Sequence, residues 1–334
     1  MHSLEIYSTC PPLDAARAAP SLERLREFAR LSEEAGCTGT LVVTDNAQLD
    51  PWLVAQVLIE ATSRLEPLVA VQPVYMHPYG VAKMVASLVF LHGRRLHLNL
   101  VAGGFKNDLA ALNDATPHDE RYARLLEYAF IVQRLLASPQ ALSFDGRYYK
   151  VANLKLTPAL PAGLQPALLM SGSSAAGAQA ARELQATAIE YPKPPAEYAA
   201  GETGARGVRI GIIARSTEDE AWSVALERYP EDRKGQLAHQ LAAKVSDSVW
   251  HRQLSERAAR GAPQARSPYW LGPFENYKAV CPFLVGSHAQ VADEVARYVD
   301  AGYRTFILDV PASREDLGHA GAVFERATAR RLAA

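Results

Sequence analysis

Three groups of residues in this 334-residue chain have the types and spacing to hold or transform a ligand. The first is Gly172-Ser173-Ser174, set between the apolar run PALLMS and the helix-like AAGAQAARELQ. A glycine that admits close approach, two hydroxyls and the open amides of a helix start suit a phosphate group. They equally suit an ordinary serine cap preceded by glycine. The second group, His118-Asp119-Glu120-Arg121-Tyr122, heads the clearest long amphipathic helix of the chain. Arg121 and Tyr122 have the donors to bind phosphate, whereas Asp119 and Glu120 also read as first-turn acids that complement the helix dipole. The third group is Tyr7, Thr44, Gln72, Asn99 and Glu190, each near the end of a short apolar run, where the ligand groups of a parallel barrel meet.

Several chemistries are excluded. The chain has no HExxH, GxxxxGK[ST] or GxSxG stretch, so zinc hydrolysis, P-loop phosphate binding and serine-triad hydrolysis lack their signatures. Cys10, Cys37 and Cys281 share no repeated spacing, which argues against a disulfide scaffold or a thiolate metal site. No metal site is expected. Nothing around Cys10 lowers its pKa, and a small buried residue is its expected role. His77, followed by Pro78, reads as a helix-start residue.

The elements that must position these groups alternate. Strand-like runs at LEIYS, TGTLVV, EPLVAVQ, RLHLNLV, PALLMSG, ATAIEY, RGVRIGIIARS and YRTFILDV are separated mostly by helical stretches. The helices open on signals such as Pro20-Ser21, Asp50-Pro51 and His77-Pro78. SFDGRYYKV, with Asp145-Gly146, predicts a hairpin outside the repeat, and AGGFKNDLAALNDATP reads as a loop. Eight α/β units in this length predict an α/β fold of the TIM-like (β/α)8 barrel type, one domain over residues 1–334, with a doubly wound sheet as the alternative. Residues 231–280 form an insertion before the last βα unit, read as a lid over the barrel mouth or as a structural or subunit contact.

Acidic and basic residues balance at 36 against 35, so a nucleic-acid footprint is not expected and a small ligand is the default partner. The amino terminus lacks a signal pattern and no apolar run is long enough for a membrane span, so the chain reads as cytoplasmic.

The stretches DPWLVA, RRLHLNLVAGG, HDERYARLLEY, SFDGRYYKV, MSGSSAAG, GVRIGIIARSTEDEAW and FLVGSHAQVADEVARYVDAGYRTFILD, in this order, resemble the bacterial luciferase-like flavin monooxygenase superfamily, especially its alkanesulfonate monooxygenase branch. The resemblance implies a TIM-like barrel, commonly a homodimer, and reduced flavin mononucleotide (FMNH2) supplied as a diffusible cosubstrate by a separate flavin reductase. It implies phosphate contacts from Tyr122, Ser173 and Ser174, beside Gly172, with Asn99 and His118 near the flavin. The implied reaction activates O2 as a peroxyflavin and oxygenates a small organic substrate, the protein mainly placing and shielding the reactants.

Departures from that branch bear on the substrate. Its amino-terminal histidine region reads YSTCPP, its active-site cysteine region reads TDNAQLDPW, and its Arg-x-His motif appears as Arg209-Ile210-Gly211. A simple alkanesulfonate is therefore not the expected substrate. Arg209 leads as a contact to the substrate or the peroxyflavin, against a structural salt bridge, and Tyr7, Asn46, Gln48 and Lys278 follow as candidates for lining the substrate side. SPYWLGPFENYK offers aromatic contacts either to a lid or to a carrier protein presenting a covalently attached substrate. Deazaflavin-dependent hydride transfer and a non-catalytic flavin-binding dimer are the alternative functions.

Overall fold

The computed structural model describes residues 4–12, 22–103, 105–172, 174–198, 205–245, 249–260 and 266–333, the side chains of 242–245 and 330–333 excepted. Ser173, Pro20, Ser21 and Gly104 lie outside the described residues.

In chain order the elements are β1 (Glu5–Thr9), α1 (Leu22–Glu34), β2 (Gly39–Val42), α2 (Pro51–Ala61), β3 (Glu66–Val71), α3 (Pro78–His92), β4 (His97–Leu100), α4 (Lys106–Ala111), α5 (His118–Ala137), β5 (Leu142–Asp145), β6 (Lys150–Leu154), β7 (Leu168–Ser171) and α6 (Ala175–Glu183). They continue as β8 (Thr187–Glu190), β9 (Arg206–Arg215), α7 (Glu218–Arg228), α8 (Arg233–Val245), α9 (Val249–Ala259), β10 (Tyr269–Trp270), α10 (Gly272–Glu275), β11 (Phe283–Ser287), α11 (His288–Asp300), β12 (Tyr303–Leu308) and α12 (Arg314–Ala333). The fold is α/β, of the TIM-like (β/α)8 barrel class. All eight expected runs form strands, and β5 and β6 form the antiparallel hairpin at Asp145-Gly146. Four elements were not expected: α4, within the glycine-containing loop; β11, which pairs in parallel with the second half of β9; and the short β10, antiparallel to β11, with α10 after it.

Local signals set the helix starts. Asp50 accepts hydrogen bonds from the amides of Trp52 and Leu53 with Pro51 in the first turn, and His77 Nδ1 accepts from the Tyr79 amide beside Pro78. Gly93 ends α3 in the left-handed region at φ 62°.

The residues pack as two compact units, one of Met1–Pro11, Glu34–Cys37 and Ile189–Ala334, the other of Pro12–Glu33 and Thr38–Ala188. In the second, β2, β3, β4 and β7 run parallel in that order. Val69, Val71, Leu98, Leu100, Leu168 and Met170 turn one face of this sheet to buried side chains of α3, α5 and α6. Side chains alternate across a strand, so Ala70, Asn99 and Leu169, which pair in register, share the other face. In the first unit β1 pairs with β12 and β12 with β9. There Val208, Ile210, Phe306 and Leu308 pack on α11 and α12, while Tyr7, Ile307 and Arg209 lie at one level on the opposite face.

No helix of the described residues is long and apolar enough to cross a membrane. Among the described residues no group of three or more His, Cys, Asp or Glu side chains is placed to hold a metal ion.

Candidate functional site

In the unit holding Thr38–Ala188, Gly172 directly follows β7 and Ser174 directly precedes α6. Gly172 adopts φ +151°, a conformation L side chains rarely take, and a Cβ there would stand 2.5 Å from the Tyr122 hydroxyl. The position therefore requires glycine twice, once for its backbone and once for the phenol beside it. Ser174 caps α6, its Oγ accepting from the Gly177 amide at 3.0 Å. That bond and the Ala178 amide's bond to the Ser174 carbonyl begin the helix ladder and leave the Ala175 and Ala176 amides without intrahelical acceptors. A Cβ on Gly177 would sit 3.1 Å from the Tyr122 hydroxyl, so Tyr122, Gly172 and the head of α6 converge. The serine cap and the anion site were competing readings: Ser174 Oγ is used by the cap, and the Tyr122 hydroxyl lies beside the helix head, close to Gly172 and Gly177. An anion fits this donor set and the positive end of the helix dipole.

Neighbours fix Tyr122. It lies on the buried side of α5, 8% exposed, within the apolar cluster that includes Leu125 and Tyr128. His118, one turn earlier, meets its ring edge-on at 5.3 Å between centroids, and His118 Nδ1 is 2.7 Å from Asp119 Oδ1. Arg121 is buried, and its Cδ is 3.2 Å from where a Cβ on Gly103 would stand.

Asn99 and Gln72 occupy the sheet face away from the helices. Ser171 Oγ donates to Asn99 Oδ1 at 2.9 Å and holds its carboxamide; Gln72 Nε2 donates to the Thr44 carbonyl at 3.3 Å. Both are at most 5% exposed. Asn46 is tied elsewhere: its backbone and side-chain nitrogens donate to Asp108, and its Oδ1 accepts from the Tyr75 hydroxyl at 2.7 Å, joining the loop after β2 to α4. Gln48 is half-buried in the same loop, its amide bonded to Asp45.

In the unit holding Ile189–Ala334, Arg209 joins Asp309 at 3.4 Å and lies beside the Tyr191 phenol, while its buried Nε has no hydrogen-bond partner among the described residues. Burial opposes its charge, but Tyr191 and Asp309 keep its pKa raised. Burial pushes the Tyr191 phenol up to about 12, so it stays neutral beside the guanidinium. The Trp250 indole stacks on Tyr191 at 3.8 Å. Tyr7 is fully buried on the same sheet face as Arg209. Gly211, two residues beyond Arg209, pairs with Phe283, whose ring occupies the space any side chain at 211 would need. The position that the resemblance aligns with a histidine of the sulfonate branch thus faces an aromatic ring from the neighbouring strand. Lys278 is half-exposed and pairs with Asp232 at 2.9 Å.

The cysteines are buried, and burial raises Cys10 and Cys37 to about 12 and Cys281 well above its ordinary value, so none is a thiolate. Glu190 is taken up by an ion pair with Arg206 and a hydrogen bond from Tyr303. Tyr191, Asp309, Trp250, Phe283 and Ser171 were not singled out from sequence. Asp309 and Tyr191 could have been, because each lies at the end of a predicted strand run.

The profile of the Luciferase-like monooxygenase family matches residues 6–305, and the chain belongs to that family. Among curated relatives, it is 34% identical over 313 residues to the 4-(gamma-L-glutamylamino)butanoyl-[BtrI acyl-carrier protein] monooxygenase BtrO of Niallia circulans, an alignment covering 91% of each chain. Its fold is similar to those of EDTA monooxygenase (EmoA) from Chelativorans sp. BNC1, with TM-score 0.75, 15% identity and coverage of 98% of this chain and 95% of that one, and DmoA from Hyphomicrobium sulfonivorans, with TM-score 0.75, 15% identity and coverage of 98% and 88%.

Proposed function

We propose that this chain is a monooxygenase that takes FMNH2 and O2 as cosubstrates and oxygenates an acyl group carried as a thioester on an acyl carrier protein. The observation that carries this reading is the likeness, across nine-tenths of both chains, to a monooxygenase of a carrier-borne acyl group. Bound FMNH2 would supply two electrons, so that one oxygen atom enters the substrate, the other leaves as water and the flavin returns oxidised.

The chain's residues have defined parts. Tyr122 Oη and the Ala175 and Ala176 amides would donate to the flavin phosphate, and Gly172 keeps the turn open enough for them to do so. Ser173, outside the described residues, would add a further hydroxyl. Ser174 holds the helix start, His118 holds the Tyr122 ring, and Asn99 and Gln72 would offer carboxamides to the flavin ring. Arg209, with Tyr191 and Asp309 fixing its plane, would use its unpartnered Nε on a carbonyl or carboxylate oxygen of the substrate, and Tyr7 shares that sheet face. Asn46, Gln48 and Lys278 are weaker parts of this reading because Asn46 and Lys278 already have partners. A homodimer fed by a separate flavin reductase completes it, and exposed Leu53, Phe90 and Leu91 on the apolar helices α2 and α3 suit contact between copies.

The test supplies photoreduced FMN anaerobically, then O2, with 4-(γ-L-glutamylamino)butanoyl pantetheine as substrate. A product heavier by one oxygen, labelled by ¹⁸O₂, is expected; flavin oxidation without a labelled product contradicts the reading. Arg209→Met is expected to lower kcat/KM about 100-fold, the loss of one charge-assisted hydrogen bond to the substrate in the transition state, with FMNH2 affinity unchanged. Equal loss in flavin affinity would make Arg209 structural.

A further inference from the structure

Residues 233–260 contain six Lys or Arg against two Asp or Glu, in a chain of net charge −1. Within this stretch α8 separates its faces cleanly. At 100° per residue, Arg233, Lys234, Leu237 and Leu241 fall within about a third of a turn, and His239 points the opposite way. His239 is buried, its ring packed on His251 and Phe274. The other face is open: Leu237 is 59% and Leu241 57% exposed, and Arg233 and Lys234 are exposed beside them.

The placement of the two cations is costly for the helix. They occupy its first turn, where the backbone dipole favours acids, and α8 has no acid there. Neither side chain forms an ion pair among the described residues, whereas Arg257 is paired with Glu197 and Lys278 with Asp232. No ion pair among the described residues thus accounts for Arg233 and Lys234, and Leu237 and Leu241 lie exposed one turn apart on the same face. A basic rim around an apolar stripe complements a small acidic helical protein.

We infer that the outward face of α8, formed by Arg233, Lys234, Leu237 and Leu241, is the docking surface for the acyl carrier protein. This rests on the carrier-borne substrate proposed above and assigns it a point of contact on this chain.

The probe is an acyl carrier protein whose phosphopantetheine arm is loaded with the 4-(γ-L-glutamylamino)butanoyl group. The double variant Arg233→Glu/Lys234→Glu, and separately Leu237→Ser, are compared with the parent for carrier binding by fluorescence anisotropy and for turnover of the same acyl group on free pantetheine. The expected result is at least about a tenfold rise in carrier Kd for each variant, with pantetheine turnover unchanged and carrier binding by the parent weakening as salt is raised. If the parent binds the carrier and both variants bind it equally well, the α8 surface is overturned while the carrier-borne substrate stands. If the parent oxygenates the pantetheine thioester yet binds no carrier, both the surface and the carrier reading fail, and the oxygenase reading survives them.

Discussion

Gly172→Ala is expected to lower affinity for reduced FMN by about 100-fold, close to 3 kcal/mol. Two costs act together. An alanine at φ +151° carries strain of about 1–3 kcal/mol, and its Cβ cannot coexist with the Tyr122 hydroxyl at 2.5 Å. The turn relieves both by moving, which carries the head of α6 and the Tyr122 hydroxyl out of a common position. Tyr122→Phe removes only the hydroxyl, so it is expected to cost about tenfold, the value of one charge-assisted hydrogen bond, with little loss of fold. Isothermal titration with reduced FMN under anaerobic conditions measures both. Gly172→Ala binding as tightly as the parent would mean that the phosphate is not held at this turn.

The second large effect is on stability. Asp316, in the first turn of α12, accepts from Arg215 at 2.9 Å with one oxygen and from Arg228 at 2.8 Å with the other, and Ser313 Oγ bonds it at 3.2 Å. Arg215 and Asp316 side chains are 5% and 4% exposed. Asp316→Ala leaves Arg215 buried without its counter-charge, and the expected loss is about 3–5 kcal/mol in urea unfolding monitored by circular dichroism. Asp316 also predicts a pH dependence. Burial alone would raise its pKa, but the hydrogen bonds and charges of the two arginines bring it below the ordinary carboxylate value. Its contribution is therefore complete above the unfolded-state pKa of about 4 and is lost as pH falls through the lower folded-state value. The parent should lose stability relative to Asp316→Asn as pH falls below about 4; parallel curves for the two proteins would show that the carboxylate contributes no net charge pairing.

The sequence carried the order of strands because each strand has one face against helices and one away, which leaves short β-branched runs between amphipathic segments. It missed β11, because FLVGS is only five residues long and ends in a glycine and the serine cap of α11. It missed α4, because KNDLAA is short, has no side-chain cap and sits between turn-forming residues. At the proposed flavin side, Gly172, Tyr122 and Ser174 were visible as residue types, yet the phenol lying against the glycine joins positions fifty apart and is a tertiary fact. At the proposed substrate side, Gly211 read as the loss of a histidine; its reason, the Phe283 ring from the paired strand, is likewise set by register. Arg209 was placed between a substrate contact and a salt bridge, and the structure shows the ion pair with Asp309 together with a buried Nε left over.

The central claim is that the phosphate of the flavin is held where Tyr122 meets the head of α6. Anaerobic titration of the parent with reduced FMN and with reduced riboflavin, which differ only in that phosphate, tests it most directly. FMN is predicted to bind about 100-fold more tightly, with Tyr122→Phe closing part of the gap by weakening FMN alone. Equal affinity for the two flavins, or a Tyr122→Phe variant that weakens both alike, would contradict the account.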